Sequence, residues 1–357
     1  MSDDQLQPHR QAIDNIDQEI LTLLNKRAEH AHAIGALKGS GVVYRPEREA
    51  QVLKRIQSLN SGLLPNEAVA RLFREIMSEC LAVERPLTIA YLGPEGTFSQ
   101  LATTKHFGHA AKTQACHSID DAFRLVEARQ ADYVVAPIEN STEGAVGRTL
   151  DLLVASPLKA CGEVMLRIHH HLLNKDGDMS CIKEICAHPQ ALGQCHEWLN
   201  RNLPASVKRV PVSSNAEAAK IASEHNHIAA IASQAAAERY HLIKIASNIE
   251  DEPNNTTRFL VLGHQLTDIS GHDKTSLIVS VAHRAGSIYE LLKVFAEHGV
   301  SMTKFESRPS RTGLWEYVFF IDIEGHQKQE NVAQSLTELE SDVSFIKIIG
   351  SYPIAVL

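Results

Sequence analysis

The first part of the chain has hydrophobic positions that repeat with the period of an α-helix. Between Pro8 and Lys38 apolar residues recur every three or four positions, and the pattern stops at the sequence Gly39-Ser40-Gly41. A helix of about 30 residues is about 45 Å long. Further helical patterns follow Pro46 and run from about Pro65 to Val83. Three helices build only a thin core around such a rod, so we expect a second copy of the chain to pack against it.

After Arg85-Pro86 the helical period gives way to short apolar runs, which indicates a domain boundary. Leu87 to Leu92 is predicted as a strand, followed by a glycine-containing polar turn and a helix. The same unit recurs with strands at Tyr133 to Ile138, Ile185 to Ala187, Val207 to Val212 and Ile228 to Ile231. Repeated βα units predict a parallel sheet, in which ligands bind beyond the carboxyl ends of the strands and helix N-termini favour anions. We therefore expect a small anionic ligand.

The last part of the chain follows a polar linker at Gly263 to Lys274 and predicts a ferredoxin-like βαββαβ module. Its predicted elements are the strand Ser276 to Ala282, the helix Ser287 to His298, the strands Lys304 to Pro309 and Leu314 to Ile323, the helix Gln329 to Glu340 and the strand Phe345 to Tyr352. The patterns thus predict three domains, at residues 1–86, 87–265 and 275–357. The predicted fold class is an all-α domain, a two-lobed α/β domain and an α+β domain.

Composition narrows the range of partners. The chain has 357 residues, 44% of them hydrophobic, and a formal net charge of -8. Its lysines and arginines are scattered, so the basic surface typical of nucleic-acid binding is not predicted. Neither a secretory signal pattern nor a run of about 18 apolar residues occurs. We expect a soluble, cytoplasmic protein that binds small molecules and neither nucleic acid nor membrane.

Two clusters invite a metal hypothesis. Cys181, Cys186, His188 and Cys195 have spacings that fit no common zinc pattern, so buried reduced thiols are the favoured interpretation. The triplet His169-His170-His171 lies in the apolar run from Val164 to Leu173, and in a strand its side chains would alternate between faces. We therefore interpret the three histidines as strand residues and expect neither a metal nor another cofactor.

The stretch Asn254-Asn255-Thr256-Thr257-Arg258-Phe259 places polar residues directly before an apolar strand that runs from Phe259 to Gly263. Thr257 offers a hydroxyl that can donate or accept a hydrogen bond, and Arg258 offers a forked cation suited to a carboxylate. The alternative interpretation is a strand-entry turn, because Asn and Thr favour turns. This stretch is a candidate site.

Charged residues on the three N-terminal helices form a second candidate site. Arg27 and Lys38 are 11 residues apart, about three helical turns, so they share a face, whereas Arg10 lies on a different face. Each cation alone could be a solvated helix residue. Together with Arg48, Glu49 and Glu84, however, they resemble the pattern of the all-helical chorismate mutases over about residues 8 to 85. In that family two chains intertwine and each pocket takes an arginine from the other chain.

That resemblance implies a role for each residue of this set. Arg27 and the partner's Arg10 would hold the two carboxylates of chorismate, and Lys38 would bind a carboxylate and the ether oxygen. Arg48 would add positive field, Glu49 would bond the ring hydroxyl and Glu84 would face the ether oxygen. The Claisen rearrangement needs no nucleophile, so cations and donors suffice. This sequence departs from relatives at Arg45, where some have Asp, and at Glu84, where others have Gln.

Three motifs in the central part resemble prephenate dehydratase over about residues 87 to 265. They are GPEGTFS at residues 93–99, PIENSTEGAV at residues 137–146 and NNTTRF at residues 254–259. The resemblance implies a two-lobed periplasmic-binding-like fold with Thr257 as the catalytic hydroxyl, Asn140 and Gln194 as polar partners and Arg258 as carboxylate binder. Glu143 is either a proton source or an ordinary carboxylate of a first helical turn. Ala187 departs from relatives that carry Ser before the HPQ triplet.

The C-terminal module resembles the ACT regulatory domain of these dehydratases. The sequence Glu306-Ser307-Arg308-Pro309 and the helix start Gly286-Ser287-Ile288-Tyr289 carry the resemblance, which implies phenylalanine binding between paired domains. Ala285 replaces the Pro often found before Gly286. The whole chain thus resembles the bifunctional chorismate mutase/prephenate dehydratase (P-protein) family with phenylalanine feedback. The alternative is a non-catalytic amino-acid sensor or solute-binding protein, and the sequence leaves dimer and tetramer open.

Overall fold

The protein is described from a computed structural model over residues 3–38, 43–282, 284–309 and 317–356, with side chains from Leu6 onward and without that of Lys38. Its N-terminal part consists of the helices α1 (Asp3–Lys38), α2 (Pro46–Leu59) and α3 (Asn66–Glu84). The predicted rod is confirmed, and it begins five residues before Pro8. Much of its apolar stripe is uncovered, because Ile13, Ile16 and Leu23 are each more than half exposed in the single chain.

The central part forms two lobes. The first contains β1 (Thr88–Leu92), α4 (Phe98–Phe107), β2 (Lys112–Cys116), α5 (Ile119–Glu127), β3 (Tyr133–Asn140), β4 (Gly144–Ala145), α6 (Gly147–Ala155) and β5 (Lys159–Arg167). The second contains β6 (His171–Asn174), β7 (Glu184–Ala187), α7 (Pro189–Gln194), α8 (His196–Asn202), β8 (Lys208–Pro211), α9 (Asn215–Glu224), β9 (Ile228–Ala232), α10 (Gln234–Arg239) and β10 (Ile243–Ala246). The strand β11 (Thr256–Gly263) returns to the first lobe.

Each lobe has one sheet, with the orders β2-β1-β3-β11-β5 and β10-β6-β9-β7-β8. The predicted βα units supply the parallel pairs β1 with β2 and β3, and β7 with β8 and β9. The prediction of a parallel sheet holds for these pairs, but both sheets are mixed, because β11 is antiparallel to β3 and β5 and β6 is antiparallel to β9 and β10. The reason is the connectivity: the chain enters the second lobe once and must come back.

The predicted single strand from Val164 to Leu173 is also wrong. Strand β5 ends at Arg167 and β6 begins at His171, so residues 168–170 form the crossover between the lobes. His169 and His170 therefore lie in a linking segment and not in a strand. Burial of Ile168 and His170 explains why this segment is as apolar as the strands that flank it.

The C-terminal module has the predicted element order. Its elements are β12 (Asp273–Ser280), α11 (Ser287–Glu297), β13 (Met302–Pro309), β14 (Tyr317–Glu324), α12 (Glu330–Asp342) and β15 (Phe345–Pro353), and its sheet order is β13-β14-β12-β15. Gly286 has φ +89° at the start of α11, a left-handed conformation that favours glycine. The predicted strand start at Leu314 falls outside the described residues.

The C-terminal module shares a core with the first lobe. Ile278, Val318, Phe320 and Ile349 of its sheet belong to the same buried cluster as Leu260 of β11 and its neighbours. Shared apolar burial makes the two units stabilise each other. Among the described residues, no helix is both long and apolar enough to cross a membrane.

Candidate functional site

The strand β11 carries the candidate hydroxyl to the boundary between the lobes. Thr257 lies opposite Asn140 of β3, and Asn140 Nδ2 is 2.8 Å from Thr257 Oγ1. The register of the two strands shifts between Arg258 and Phe259, so that one extra residue of β3 is accommodated. Such a bulge re-aims the side chains that follow it. Because of this bulge, Asn140 shares a face with Thr257 and not with the buried Ile138.

Two backbone amides that donate to Asn140 determine which group donates and which accepts in the hydrogen bonds around Thr257. The amides of Thr142 and Glu143 both donate to Asn140 Oδ1, at 3.0 Å each. The other end of this side chain must therefore be its amide nitrogen, which donates to Thr257 Oγ1 and to Asn255 Oδ1. Because Thr257 accepts this bond, its own hydrogen remains available. Within the described residues Thr257 donates to no neighbour, and its side chain is partly exposed.

Gln194 joins this network across the lobe boundary. Asn255 Nδ2 donates to Gln194 Oε1 at 3.0 Å, and Gln194 Nε2 donates to Glu143 Oε1 at 3.3 Å. The structure thus brings Thr257, Asn140 and Gln194 into one hydrogen-bonded chain, with Asn255 as the link. Glu143 lies in a turn before α6 and not in the first turn of a helix. We had not predicted a role for Asn255, although its place in the NNTTRF motif was the available signal.

His170 is a further member that the sequence analysis missed. Its Nε2 lies 2.9 Å from Gln194 Oε1, so this nitrogen carries the hydrogen, and its ring packs edge-on against Phe98 at 5.5 Å. The side chain is buried, and burial lowers the pKa of the imidazole. His170 is therefore a neutral donor that orients Gln194. Its position inside a triplet of histidines gave no signal, because only the crossover geometry separates it from its neighbours.

A cleft of 820 Å³ lies between the two lobes, and its lining residue Phe98 contacts the ring of His170, whereas Thr257, Asn140 and Gln194 are not among its described lining residues. The turn from Leu92 to Ser99 lines one side, and His188, Gln190 and the polar residues Ser213 to Asn215 line the other. Both sides contribute helix N-termini, at α4 and α9, which favour bound anions. Lys220 is the only lysine or arginine among the described lining residues.

The structure corrects the expected position of Arg258. Its guanidinium lies on the opposite face of β11 from Thr257, because neighbouring strand residues alternate between faces. The side chain is buried between the first lobe and the C-terminal module, where its Nε donates to Glu163 of β5 at 2.8 Å and its Nη2 donates to Tyr352 Oη of β15 at 2.9 Å. Nη1 donates to Asp322. Burial by itself lowers the pKa of Arg258, but Tyr352, Asp322 and Glu163 raise it further than burial lowers it. Arg258 therefore cannot bind a carboxylate in the cleft.

The predicted mutase residues are spread over the three N-terminal helices. Glu84 packs against α1 at Gly35, where an added Cβ would lie 2.4 Å from Glu84 Cγ, and its Oε1 is buried without a hydrogen bond from any described residue. Gly35 lies three positions before Lys38, whose side chain is outside the described residues. Arg27 is half-buried, whereas Arg10 and Arg48 are exposed.

Glu49 has a partner that was not predicted. Arg74 Nε donates to Glu49 Oε1 at 3.1 Å, and Arg74 Nη1 donates to the carbonyl of Lys105 in α4. Burial raises the pKa of Glu49, and Arg74 opposes this rise. Arg45, one of the departures from relatives, is exposed and pairs with Glu47 at 3.8 Å.

Of the predicted regulatory residues, Ser307 lines a cavity of 450 Å³ in the C-terminal module. Ser307 lines it together with Arg284 and Ser287, which flank Gly286 at the start of α11. Glu306 and Arg308 alternate to the other face of β13, and Arg308 Nη2 lies 3.7 Å from Asp151 of the first lobe. Pro309 ends the strand.

Comparison with known proteins shows three family matches in chain order. The models for chorismate mutase type II, prephenate dehydratase and the ACT domain match residues 9–85, 89–267 and 275–341. A bifunctional chorismate mutase/prephenate dehydratase of Neisseria gonorrhoeae is 64% identical over 358 residues, which cover 99% of each chain. One from Pseudomonas aeruginosa is 49% identical over 362 residues, again 99% of each chain.

A solved prephenate dehydratase structure is also similar to most of this chain. The prephenate dehydratase of Arthrobacter aurescens, in complex with L-Phe, matches with a TM-score of 0.69 and 34% sequence identity. The match covers 75% of this chain and 90% of that one.

Proposed function

The chain belongs to the bifunctional chorismate mutase/prephenate dehydratase family, and we propose how its residues divide the work. It converts chorismate to prephenate by a Claisen rearrangement, and prephenate to phenylpyruvate by dehydration with decarboxylation, in the synthesis of L-phenylalanine. Phenylalanine inhibits it by feedback. The observation that carries the proposed dehydratase mechanism is the available hydrogen of Thr257, whose Oγ1 accepts from Asn140 Nδ2 and whose side chain is partly exposed at the lobe boundary.

For the dehydratase step, Thr257 is the donor to the departing ring hydroxyl. Asn140 occupies one lone pair of Thr257 Oγ1, which leaves the hydroxyl hydrogen to face substrate or a relaying water. A threonine is too weak an acid to protonate hydroxide alone, so Glu143, bonded to Gln194, is the group that supplies the proton through water. Aromatisation of the ring drives the loss of its carboxylate, which must stay poorly solvated.

The retained carboxylate of prephenate needs a binding group other than Arg258. The N-termini of α4 and α9 line the cleft with the backbone N–H groups of their first turns, of which that of Glu217 is capped by Ser214 Oγ, and Lys220 of α9 lines it as well. We assign anion binding to these groups. The assignment agrees with the sequence-based expectation of a small anion bound beyond the strand ends.

The mutase site combines residues from two chains. Arg10 and Lys38 are separated by 28 positions of one continuous helix, about 42 Å, so they cannot share a pocket within one chain. The exposed apolar stripe of α1 supports pairing with a second copy, which brings the partner's Arg10 to Arg27, Lys38 and Arg48. Glu84 acts at the ether oxygen. Arg74 Nε donates only to Oε1 of Glu49, so Glu49 Oε2 accepts the hydrogen bond from the ring hydroxyl.

Phenylalanine acts at the cavity of the C-terminal module. Ser307 and the start of α11 at Gly286 supply polar groups for an amino acid, and Tyr317 and Phe319 supply apolar surface for its ring. Glu306, Arg308 and Pro309 belong to the same strand, and Arg308 connects it to Asp151 of the first lobe. Whether the chains form a dimer or a larger assembly follows from which of the two surfaces, α1 or the β13 edge, pairs in solution.

Two assays on the purified protein test this proposal. Loss of chorismate and appearance of phenylpyruvate from prephenate are measured separately, with and without phenylalanine. Thr257 variants should affect only the second reaction, and Lys38 or Glu84 variants only the first. A protein that fails to form phenylpyruvate would refute the dehydratase assignment.

A further inference from the structure

Arg258 and Glu139 form a pair of charged residues on the face of β11 and β3 opposite to the Thr257 hydroxyl network. The register that sets Thr257 opposite Asn140 also sets Arg258 opposite Glu139, and Arg258 Nη1 is 3.9 Å from Glu139 Oε2. These two residues project from the other face of the same strands. That face is covered by the C-terminal module, which shares its core with the first lobe.

The module holds Arg258 in a buried socket. Asp322 of β14 and Tyr352 of β15 accept hydrogen bonds from its two Nη atoms, and Ser276 of β12 bonds to both acceptors. Arg258 is only 7% exposed. Three strands of the C-terminal module therefore converge on the residue next to Thr257, through charge-assisted bonds that are stronger and more directional than neutral ones.

The strand β3, which carries Asn140, is also held by the C-terminal module. Lys304 Nζ of β13 donates to Glu139 Oε2 at 2.8 Å, so the residue next to Asn140 also contacts the module. Lys274 Nζ of β12 lies 3.0 Å from Glu163 Oε2, the acceptor of Arg258 Nε. Both partners of the Asn140 to Thr257 bond thus have a sequence neighbour fixed from behind.

The same module strands reach the effector cavity. Tyr317 and Phe319 of β14 line the cavity, and Asp322 follows Phe319 by three residues, about 10 Å along the strand. On β13, Ser307 lines the cavity, and Lys304 lies three residues before it. A strand is stiff over this length, so a shift at the cavity moves Asp322 and Lys304 with it.

We propose that Arg258 is a positioning residue that ties Thr257 to the C-terminal module, and that bound phenylalanine reduces dehydration by moving Asp322 and Tyr352 relative to it. This inference rests on the proposed roles of Thr257 and the effector cavity. Movement of β11 by a fraction of an ångström breaks the alignment of a donor hydroxyl with its substrate. Allosteric coupling between two binding sites typically corresponds to a 5- to 150-fold change in affinity, about 1 to 3 kcal/mol, and we expect the effect on the dehydratase rate to be of this size.

The test uses the full chain with Asp322→Ala, which removes the acceptor of Arg258 Nη1, and with Asp322→Asn, which keeps a neutral acceptor. Dehydratase kcat, KM and residual activity at saturating phenylalanine are measured, and phenylalanine binding is measured by calorimetry. We expect Asp322→Ala to lower dehydratase kcat about 10-fold with little change in KM. Its residual fractional activity with phenylalanine should exceed that of the wild type by about 5-fold or more, while phenylalanine still binds. Asp322→Asn should lie between the two.

The matched control is Lys347→Met, which removes another contact between the module and the first lobe. Lys347 Nζ donates to the carbonyls of Leu153 and Val154 at 2.9 Å each, at the end of α6 and away from β11. This variant should keep wild-type dehydratase kcat and inhibition. If Lys347→Met reproduces the Asp322→Ala effects, they report a loosened interface and the inference is overturned.

Further measurements keep the outcome decisive. Thermal unfolding of the same sample should show that the dehydratase part and the C-terminal module are folded, mutase turnover should stay at the wild-type value, and Tyr352→Phe serves as the milder variant if Asp322→Ala does not fold. Unchanged dehydratase kcat and inhibition in both variants would overturn the inference. A wild-type chain that makes no phenylpyruvate would instead refute the proposed function, so the two failures are distinguishable.

Discussion

The replacement Thr257→Val isolates the hydroxyl on which the dehydratase mechanism depends. Valine has nearly the shape of threonine and suits a strand, so the backbone of β11 should be undisturbed. The variant loses the donor to the departing hydroxyl of prephenate. Mutase turnover should be unchanged, because Thr257 Oγ1 is bonded to Asn140 and no described residue of the N-terminal helices forms a hydrogen bond with it.

The structure sets the size of both effects. Asn140 Nδ2 loses one acceptor but keeps Asn255 Oδ1 at 2.8 Å, so the free energy of unfolding should fall by only about 1 kcal/mol. The loss of one preorganised donor to a transition state typically costs about 2.7 to 4 kcal/mol, which corresponds to about 10²- to 10³-fold in kcat. The catalytic effect therefore greatly exceeds the effect on folding.

The assay is the formation of phenylpyruvate from prephenate under saturating conditions, with mutase turnover and thermal unfolding measured on the same sample. The matched control is Thr256→Val, since Thr256 Oγ1 donates to the carbonyl of Asn254 and takes no part in the network. Thr257→Ser should recover much of the activity. If Thr257→Val keeps dehydratase kcat within about 10-fold of wild type, the reasoning from the hydroxyl is refuted.

Three further predictions concern the mutase site and the folded state. Glu84→Gln should flatten the decline of mutase kcat with rising pH, because an ionised carboxylate repels the charge that grows on the ether oxygen whereas an amide donates at every pH; identical profiles would exclude Glu84 from that position. Co-expressed Arg10→Ala and Lys38→Ala chains should regain mutase activity through one intact site per heterodimer, and inactive verified heterodimers would place Arg10 in its own chain's site. Burial lowers the pKa of His106 to about 3 in the folded protein, whereas a histidine in the unfolded chain has a pKa of about 6.5. As pH decreases below about 6.5 the unfolded chain therefore binds one more proton than the folded protein, and the free energy of unfolding decreases. Between pH 7.5 and 5.5 the wild type should lose about 1.4 kcal/mol more in urea unfolding than His106→Gln, and equal losses would contradict a buried neutral His106.

The structure affects the choice of experiment for testing feedback inhibition. Deletion of the C-terminal module would test feedback only if the remaining chain stayed folded. Its removal would expose Leu260 and the rest of the shared cluster and would leave Arg258 without Asp322 and Tyr352. Point substitutions in the module are therefore the appropriate test of regulation.

Local patterns in the sequence were sufficient for most elements and for the family. The helical period from Pro8 to Lys38, the change from helix to strand around Arg85-Pro86 and the βαββαβ order at the end of the chain all match the described elements. These features depend on side chains near each other in sequence, because hydrophobic periodicity indicates the type of secondary structure and Gly and Pro residues mark where an element ends. The motifs around Asn140 and Thr257 also identified residues that the fold brings into contact.

Only the tertiary structure decided which way individual side chains face and which distant groups they meet. A one-residue bulge in β3 sets Asn140 beside Thr257 and turns Glu139 toward Arg258, and no local pattern signals it. Arg258 was expected in the cleft because its chemistry suits a carboxylate, but strand alternation points it at the C-terminal module. Glu49 meets Arg74, and His170 meets Gln194, through packing between separate elements. Such contacts depend on register and on the docking of distant segments, which the sequence of one segment does not contain.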